Sequence, residues 1–158
     1  MKLTAILISV IVVLAVALFW GLSARSNVYL DGRCFANVSY GDSTQGNFGF
    51  KGNITFEFAK DKTGQFYLTG IVNYQNHSYI LSRNVTFNYK NIIDNKYLVE
   101  VIGHGKKIRD NMPEDVSALA EKNFGLGGEY FIYLKNNNDN YITIGTPLSP
   151  MINCVIQP

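Results

Sequence analysis

The run FGFKGNITFEF, Phe48 to Phe58, alternates apolar and polar positions without a break. Phe48, Phe50, Ile54, Phe56 and Phe58 share one face, with Gly52 among them, and Lys51, Asn53, Thr55 and Glu57 share the other. A helix would scatter those rings around its circumference, whereas a half-buried strand sets them all against a core. The pattern recurs on both sides. Cys34, Ala36, Val38 and Tyr40 precede it, separated by the breaker GDSTQGN, and Phe66, Leu68, Gly70, Val72 and Tyr74 follow it. The turn between them, KDKTG, offers Gly64 as the residue free to take positive φ. A polar turn at Gln75 to His77 opens the next run, SYILSRNVTFNYK, and NIIDN leads on to a strand from Tyr97 through Ile102. Five strands joined by hairpin-length connections predict an antiparallel meander.

Gly52 and Gly70 fall on the apolar faces of neighbouring strands, where missing side chains permit sharp bending or close approach, as in a small barrel. One helix interrupts the strands. NMPEDVSALAEKNFG puts Pro113 in a first turn, Glu114 and Asp115 at the positive end of the dipole, and Gly125 at the C-terminus. Val116, Leu119 and Ala120 can face a core. EYFIYL and YITIG then form a hairpin around KNNNDN, and PMINCVIQP ends in a short strand. The expectation is a mainly β domain, residues 34–158, of seven or eight strands with one short helix, arranged as a meander or a small barrel.

Ahead of that domain, LTAILISVIVVLAVALFWGL, Leu3 to Leu22, carries no charge. As a helix it reaches about 30 Å, one bilayer core. A cleaved signal peptide is the alternative, but its apolar region is shorter, and Leu22 stands where cleavage after Ala24 would want a small residue. Trp20 suits a membrane interface. Residues 1–24 are therefore read as a membrane anchor with a short cytoplasmic stub, and 25–33 as a tether. Cys34 and Cys154 lie near the two ends of the domain with no cysteine between them. In an exported chain the pair reads as one disulfide pinning the first strand to the last, with two unrelated buried thiols as the alternative. The resulting topology is a single pass of a bacterial inner membrane with the C-terminal domain in the periplasm.

Beyond the anchor, thirteen basic residues face twelve acidic ones, with no polybasic block, which argues against direct nucleic-acid binding. Sequons begin at Asn37, Asn53, Asn76 and Asn84, but seventeen asparagines make chance occurrence common. His77 and His104 have no second His or Cys at ligand spacing, so neither a metal site nor another cofactor is expected. No serine or cysteine sits in a nucleophile elbow, and FGLGG does not follow a strand and open a helix. Asp110, Glu114 and Asp115 read as helix capping and dipole compensation, not as catalytic acids. The chain is not expected to be an enzyme.

One residue resists the pattern. The apolar face of SYILSRNVTFNYK reads Tyr79, Leu81, Arg83, Val85, Phe87, Tyr89. Arg83 either packs its stem on aromatics while its head reaches water or a carboxylate such as Glu100, or gives a hydrophobic pocket one fixed cation. In the second case Tyr79, Arg83 and Phe87 are the candidate residues for an amphipathic anion such as a fatty acid or bile salt.

The anchor, the cysteine soon after it, GNITFEF, GIVNY, SRNVTFNYK, the MPED helix start and the closing LSPMINCV together resemble the FidL-like family of membrane proteins. The resemblance covers nearly the whole chain. In size and topology that family is similar to the accessory proteins of the ToxR/ToxS type. These stand beside a membrane-spanning winged-helix transcription regulator and bind or stabilise its periplasmic domain. In one related pair a lipocalin-like barrel binds bile salts. The resemblance therefore implies a lipocalin-like barrel, hetero-oligomerisation with a co-anchored regulator, and a small amphipathic ligand; it supplies no catalytic residues.

Overall fold

The computed structural model describes residues 2–25, 32–43, 47–137, 140–146 and 148–157, so residues 26–31 of the expected tether lie outside it. A helix, α1 (Lys2–Arg25), comes first. Eight strands follow: β1 (Gly32–Asp42), β2 (Phe48–Phe58), β3 (Thr63–Tyr74), β4 (His77–Ile93), β5 (Lys96–Lys106), β6 (Glu129–Asn137), β7 (Tyr141–Gly145) and β8 (Pro150–Gln157). Helix α2 (Glu114–Phe124) lies between β5 and β6. Each strand pairs antiparallel with the next, and β1 pairs with β8, which closes the sheet into a barrel.

The alternation seen in the sequence turns inward as expected. Phe48, Phe50, Ile54 and Phe58 on β2, Phe66, Leu68 and Val72 on β3, and Leu81, Val85 and Phe87 on β4 are all buried. Curvature comes from the glycine pair. Gly52 stands opposite Gly70 across β2 and β3, and a Cβ on either would lie 2.6 Å from the other's Cα and as close to the Phe50 ring. Two empty positions let the sheet fold over one phenylalanine. At 17 residues β4 is the longest strand, and a register shift between Thr86 and Phe87 bends it against β5.

Three local expectations are corrected. The left-handed residue of the β2–β3 turn is Lys62 (φ 71°), not Gly64; a Cβ on Gly64 would strike the Phe87 ring. Pro113 is not in the first turn of α2 but is its extended N-cap, with the Ser117 N–H donating to its carbonyl at 2.9 Å. β5 runs past Ile102 to Lys106, because its backbone keeps pairing with β4 as far as Arg83 opposite Lys106. At the other terminus of α2, Gly125 takes the left-handed conformation (φ 60°) and closes the helix as expected, its N–H donating to the Glu121 carbonyl.

On α1, Ile8 and the residues from Val10 to Trp20 have exposed side chains. Side chains are described on it only within that stretch, and among the described residues no helix is long and apolar enough to cross a membrane.

The barrel has two unlike ends. The chain enters at Gly32, and the β2–β3, β4–β5 and β6–β7 connections lie at that entry end. The opposite end holds the β1–β2 and β3–β4 connections and α2. Phe124 packs there against Tyr40, Phe48 and Phe50, with ring centroids 6.0, 6.2 and 4.9 Å away.

Candidate functional site

Closing eight short strands around phenylalanines leaves room inside. The barrel holds a cavity of about 600 Å³, within the range of small-molecule sites. Its deep wall is apolar and is built from β2, β3, β4, β5 and β7: Ile54, Phe58, Phe66, Leu68, Phe87 and Val99, with Ile144 opposite. Its rim is formed where β1 and β8 separate. Those strands pair only from Arg33 to Phe35 against Gln157 to Val155; beyond that seam, Ser39 and Tyr40 on one side and Ser149 and Met151 on the other line the opening with exposed side chains. The end of α2, Lys122 to Gly125, and the start of β6, Tyr130 to Ile132, complete the rim.

The polar character of the cavity is confined to that rim. Among the described residues Lys122 is the only charged side chain in the lining. Beside it, the Asn123 side-chain nitrogen is buried without a hydrogen-bond partner. Burial pushes the Tyr130 phenol above its ordinary pKa, so the hydroxyl stays protonated at neutral pH.

Of the three residues that the sequence nominated for a ligand, the structure brings Phe87 to this cavity; Arg83 and Tyr79 lie outside its lining. Tyr79 is half-buried and stacks on His77 (centroids 6.3 Å apart). Arg83 does point inward, and 1 % of it is exposed. Its head reaches neither water nor Glu100. Nε donates to Asp110 Oδ2 at 2.6 Å, Nη2 to Ser117 Oγ at 2.7 Å, and Nη1 to Glu121 Oε1 at 3.1 Å. Asp110 is thus not a helix cap. Its buried carboxylate also accepts the N–H groups of Ser82 and Met112 at 3.1 and 3.3 Å. Next to it, Asn111 and Ile80 exchange two hydrogen bonds, so residues 107–111 continue as a partner for β4 where β5 has ended. Arg83 therefore ties α2 and its leading segment to the barrel wall.

Cys34 and Cys154 form a disulfide with Cα atoms 5.3 Å apart, closing the barrel next to the three-residue seam. Among the described residues no three His, Cys, Asp or Glu side chains gather into a metal-binding group. His77 Nδ1 lies 3.0 Å from the Gln75 carbonyl in the β3–β4 turn.

Residues 70–154 fit the family model described as "FidL-like putative membrane protein"; the match starts at Gly70 of the glycine pair and stops at Cys154, spanning a little over half of the chain. No curated protein matches the chain.

Proposed function

Because the chain belongs to the FidL-like family of membrane proteins, we propose that it is a membrane-anchored accessory protein whose barrel binds a small amphipathic molecule. In this reading it also binds and stabilises a co-anchored, membrane-spanning winged-helix regulator of the ToxR type. The observation that carries the proposal is the apolar cavity of about 600 Å³ with polar groups only at its rim. Such a shape takes up a hydrocarbon body and leaves a polar head near water.

The remaining parts rest on weaker but independent features. The exposed apolar side chains of α1 between Val10 and Trp20 would be costly to leave in water, and that cost supports an anchoring role. The disulfide suits an oxidising compartment, here the periplasm. A tether of a few residues keeps the barrel near the membrane and raises its effective concentration toward any protein anchored beside it. A ligand would alter that association only by binding one assembled state better than the other. The reading assigns no catalysis, no cofactor and no direct contact with nucleic acid.

A stand-alone lipocalin-like carrier is the second reading, and one observation favours it: the barrel closes on its own eight strands. Pull-down of the full chain from detergent-solubilised membranes separates the two. Co-purification of a one-span winged-helix protein supports the accessory role. Recovery of the chain alone, with lipid bound, supports the carrier. Recovery of the chain with neither a regulator nor lipid bound would end both.

A further inference from the structure

Two large apolar side chains stand side by side next to a turn, where polar residues are the rule. Ile92 and Ile93 end β4 at the β4–β5 hairpin; Ile92 is 46 % exposed and Ile93 62 %. Exposed apolar residues scattered singly are ordinary, but the backbone sets this pair out on purpose. The register with β5 shifts between Asn91 and Ile93, so no β5 residue stands opposite Ile92. Beyond it Asp94 takes a left-handed conformation (φ 47°), and Asn91 Nδ2 donates to the Asp94 carbonyl at 2.7 Å. The tip is a fixed turn. Strand pairing with β3 stops at Asn88 opposite Thr63, so the last residues of β4 run on past the end of β3.

The charge around the tip has a sign. Among the described residues of the entry end, Lys60, Lys62, Lys90, Lys96 and Lys135 outnumber Asp61 and Asp94. Arg33 and Glu57 cancel, with 2.6 Å between them. This is also the end at which the chain arrives. Residues 26–31 join Arg25 of α1 to Gly32, a stretch that reaches at most about 25 Å. A barrel held that close to α1 turns its entry end toward whatever holds α1.

We propose that the entry end of the barrel rests on the anionic lipid surface in which α1 is anchored. Ile92 and Ile93 sit at the boundary of headgroups and acyl chains, and the lysines around them face lipid phosphates. Buried apolar area and attraction to anionic lipid add together in interfacial binding. The inference rests on the anchoring of α1 in the reading above and adds an orientation to it. The α2 end, where the cavity opens, then faces the aqueous side.

The test uses the full-length chain in nanodiscs of phosphatidylglycerol and phosphatidylcholine. The native cysteines are bonded to each other, so Ile93→Cys supplies a single thiol for an environment-sensitive fluorophore. Leu14→Cys on α1 and Ile108→Cys, fully exposed in the segment leading to α2, carry the same label in separate samples. Phospholipids spin-labelled either near the headgroup or deep in the acyl chain act as quenchers. The shallow quencher should dim the Ile93 site and the deep one the Leu14 site, while the Ile108 site stays bright. Most of the quenching at the Ile93 site should be lost with Lys62→Glu plus Lys90→Glu, or in phosphatidylcholine alone, with the Leu14 site unchanged. Circular dichroism melts establish that each variant is folded, and Ile92→Cys gives a second reading of the tip. Quenching at the Leu14 site without quenching at the tip, or equal quenching at the Ile93 and Ile108 sites, overturns the orientation and leaves the anchor standing. A blue-shifted label at the tip that neither lipid quenches places a protein surface there and overturns it as well. An unquenched Leu14 site removes the anchor itself, and the orientation with it.

Discussion

At the entry end of the barrel, closure is covalent and aromatic: Cys34 is bonded to Cys154, and Phe56, Phe58, Phe66, Phe87 and Tyr89 make successive ring contacts. At the α2 end, closure is ionic and helical: one arginine, two carboxylates and a serine hold a helix across the opening. The two solutions differ in what they permit. Stacked rings and a bond between first and last strands leave little freedom, whereas a plug held by hydrogen bonds can carry functional side chains at its margin. It is at the second end that the cavity opens and that an unsatisfied amide survives.

Removing the covalent closure should have the largest effect. A disulfide spanning 120 residues contributes roughly 5 kcal/mol in the chain-entropy model. Cys34→Ser with Cys154→Ser should lower the stability of the oxidised protein by about that amount in denaturant titration. An unchanged midpoint would mean that the seam and the rings suffice at the entry end.

The ionic closure comes next. Arg83→Met leaves the buried Asp110 carboxylate unpaired and should cost about 3–5 kcal/mol, and pairing it with Asp110→Leu should recover much of the loss. Glu121, only half-buried, contributes less than Asp110, so Glu121→Gln should cost about 1 kcal/mol or less. Losses for Arg83 and Asp110 that simply add would show that the plug is held by its apolar face alone.

A third change should act in the opposite direction. Asn123→Leu removes the unpartnered donor and should stabilise the protein by about 1 kcal/mol, read as a rise in melting temperature. Destabilisation would show that the amide is already satisfied. The smallest effect concerns pH. Burial raises the Tyr130 pKa, so the stability gained by keeping this phenol neutral is intact below the ordinary tyrosine value of about 10 and is lost as pH rises through the raised one. Tyr130→Phe should flatten that alkaline decline in unfolding midpoint.

The strands were legible where alternation was strong. β2, β3 and the inward face of β4 follow directly from Phe48 to Phe58, Phe66 to Tyr74, and Tyr79 to Tyr89. So did the glycine pair, since two vacant positions on adjoining apolar faces have few other uses. The second half of β5 was not, because Gly103, His104 and Gly105 leave no apolar signature in the sequence. The partners of Arg83 were hidden for a different reason. Asp110, Ser117 and Glu121 lie 27 to 38 residues further on, in a segment whose acidic residues also satisfy the local logic of a helix start. An inward arginine signals that a carboxylate must come to it but not which one. The cavity rim was least visible, since Lys122 and Asn123 look like ordinary residues of a final helical turn until β1 and β8 are seen to diverge beside them.

The bond between Cys34 and Cys154 also has a mechanical meaning. Tension applied between the start of β1 and the end of β8 finds a covalent path through a single pair of sulfur atoms. The intervening loop of the chain carries none of that load. A pull on those two ends therefore bypasses the barrel like a coil shorted at its terminals.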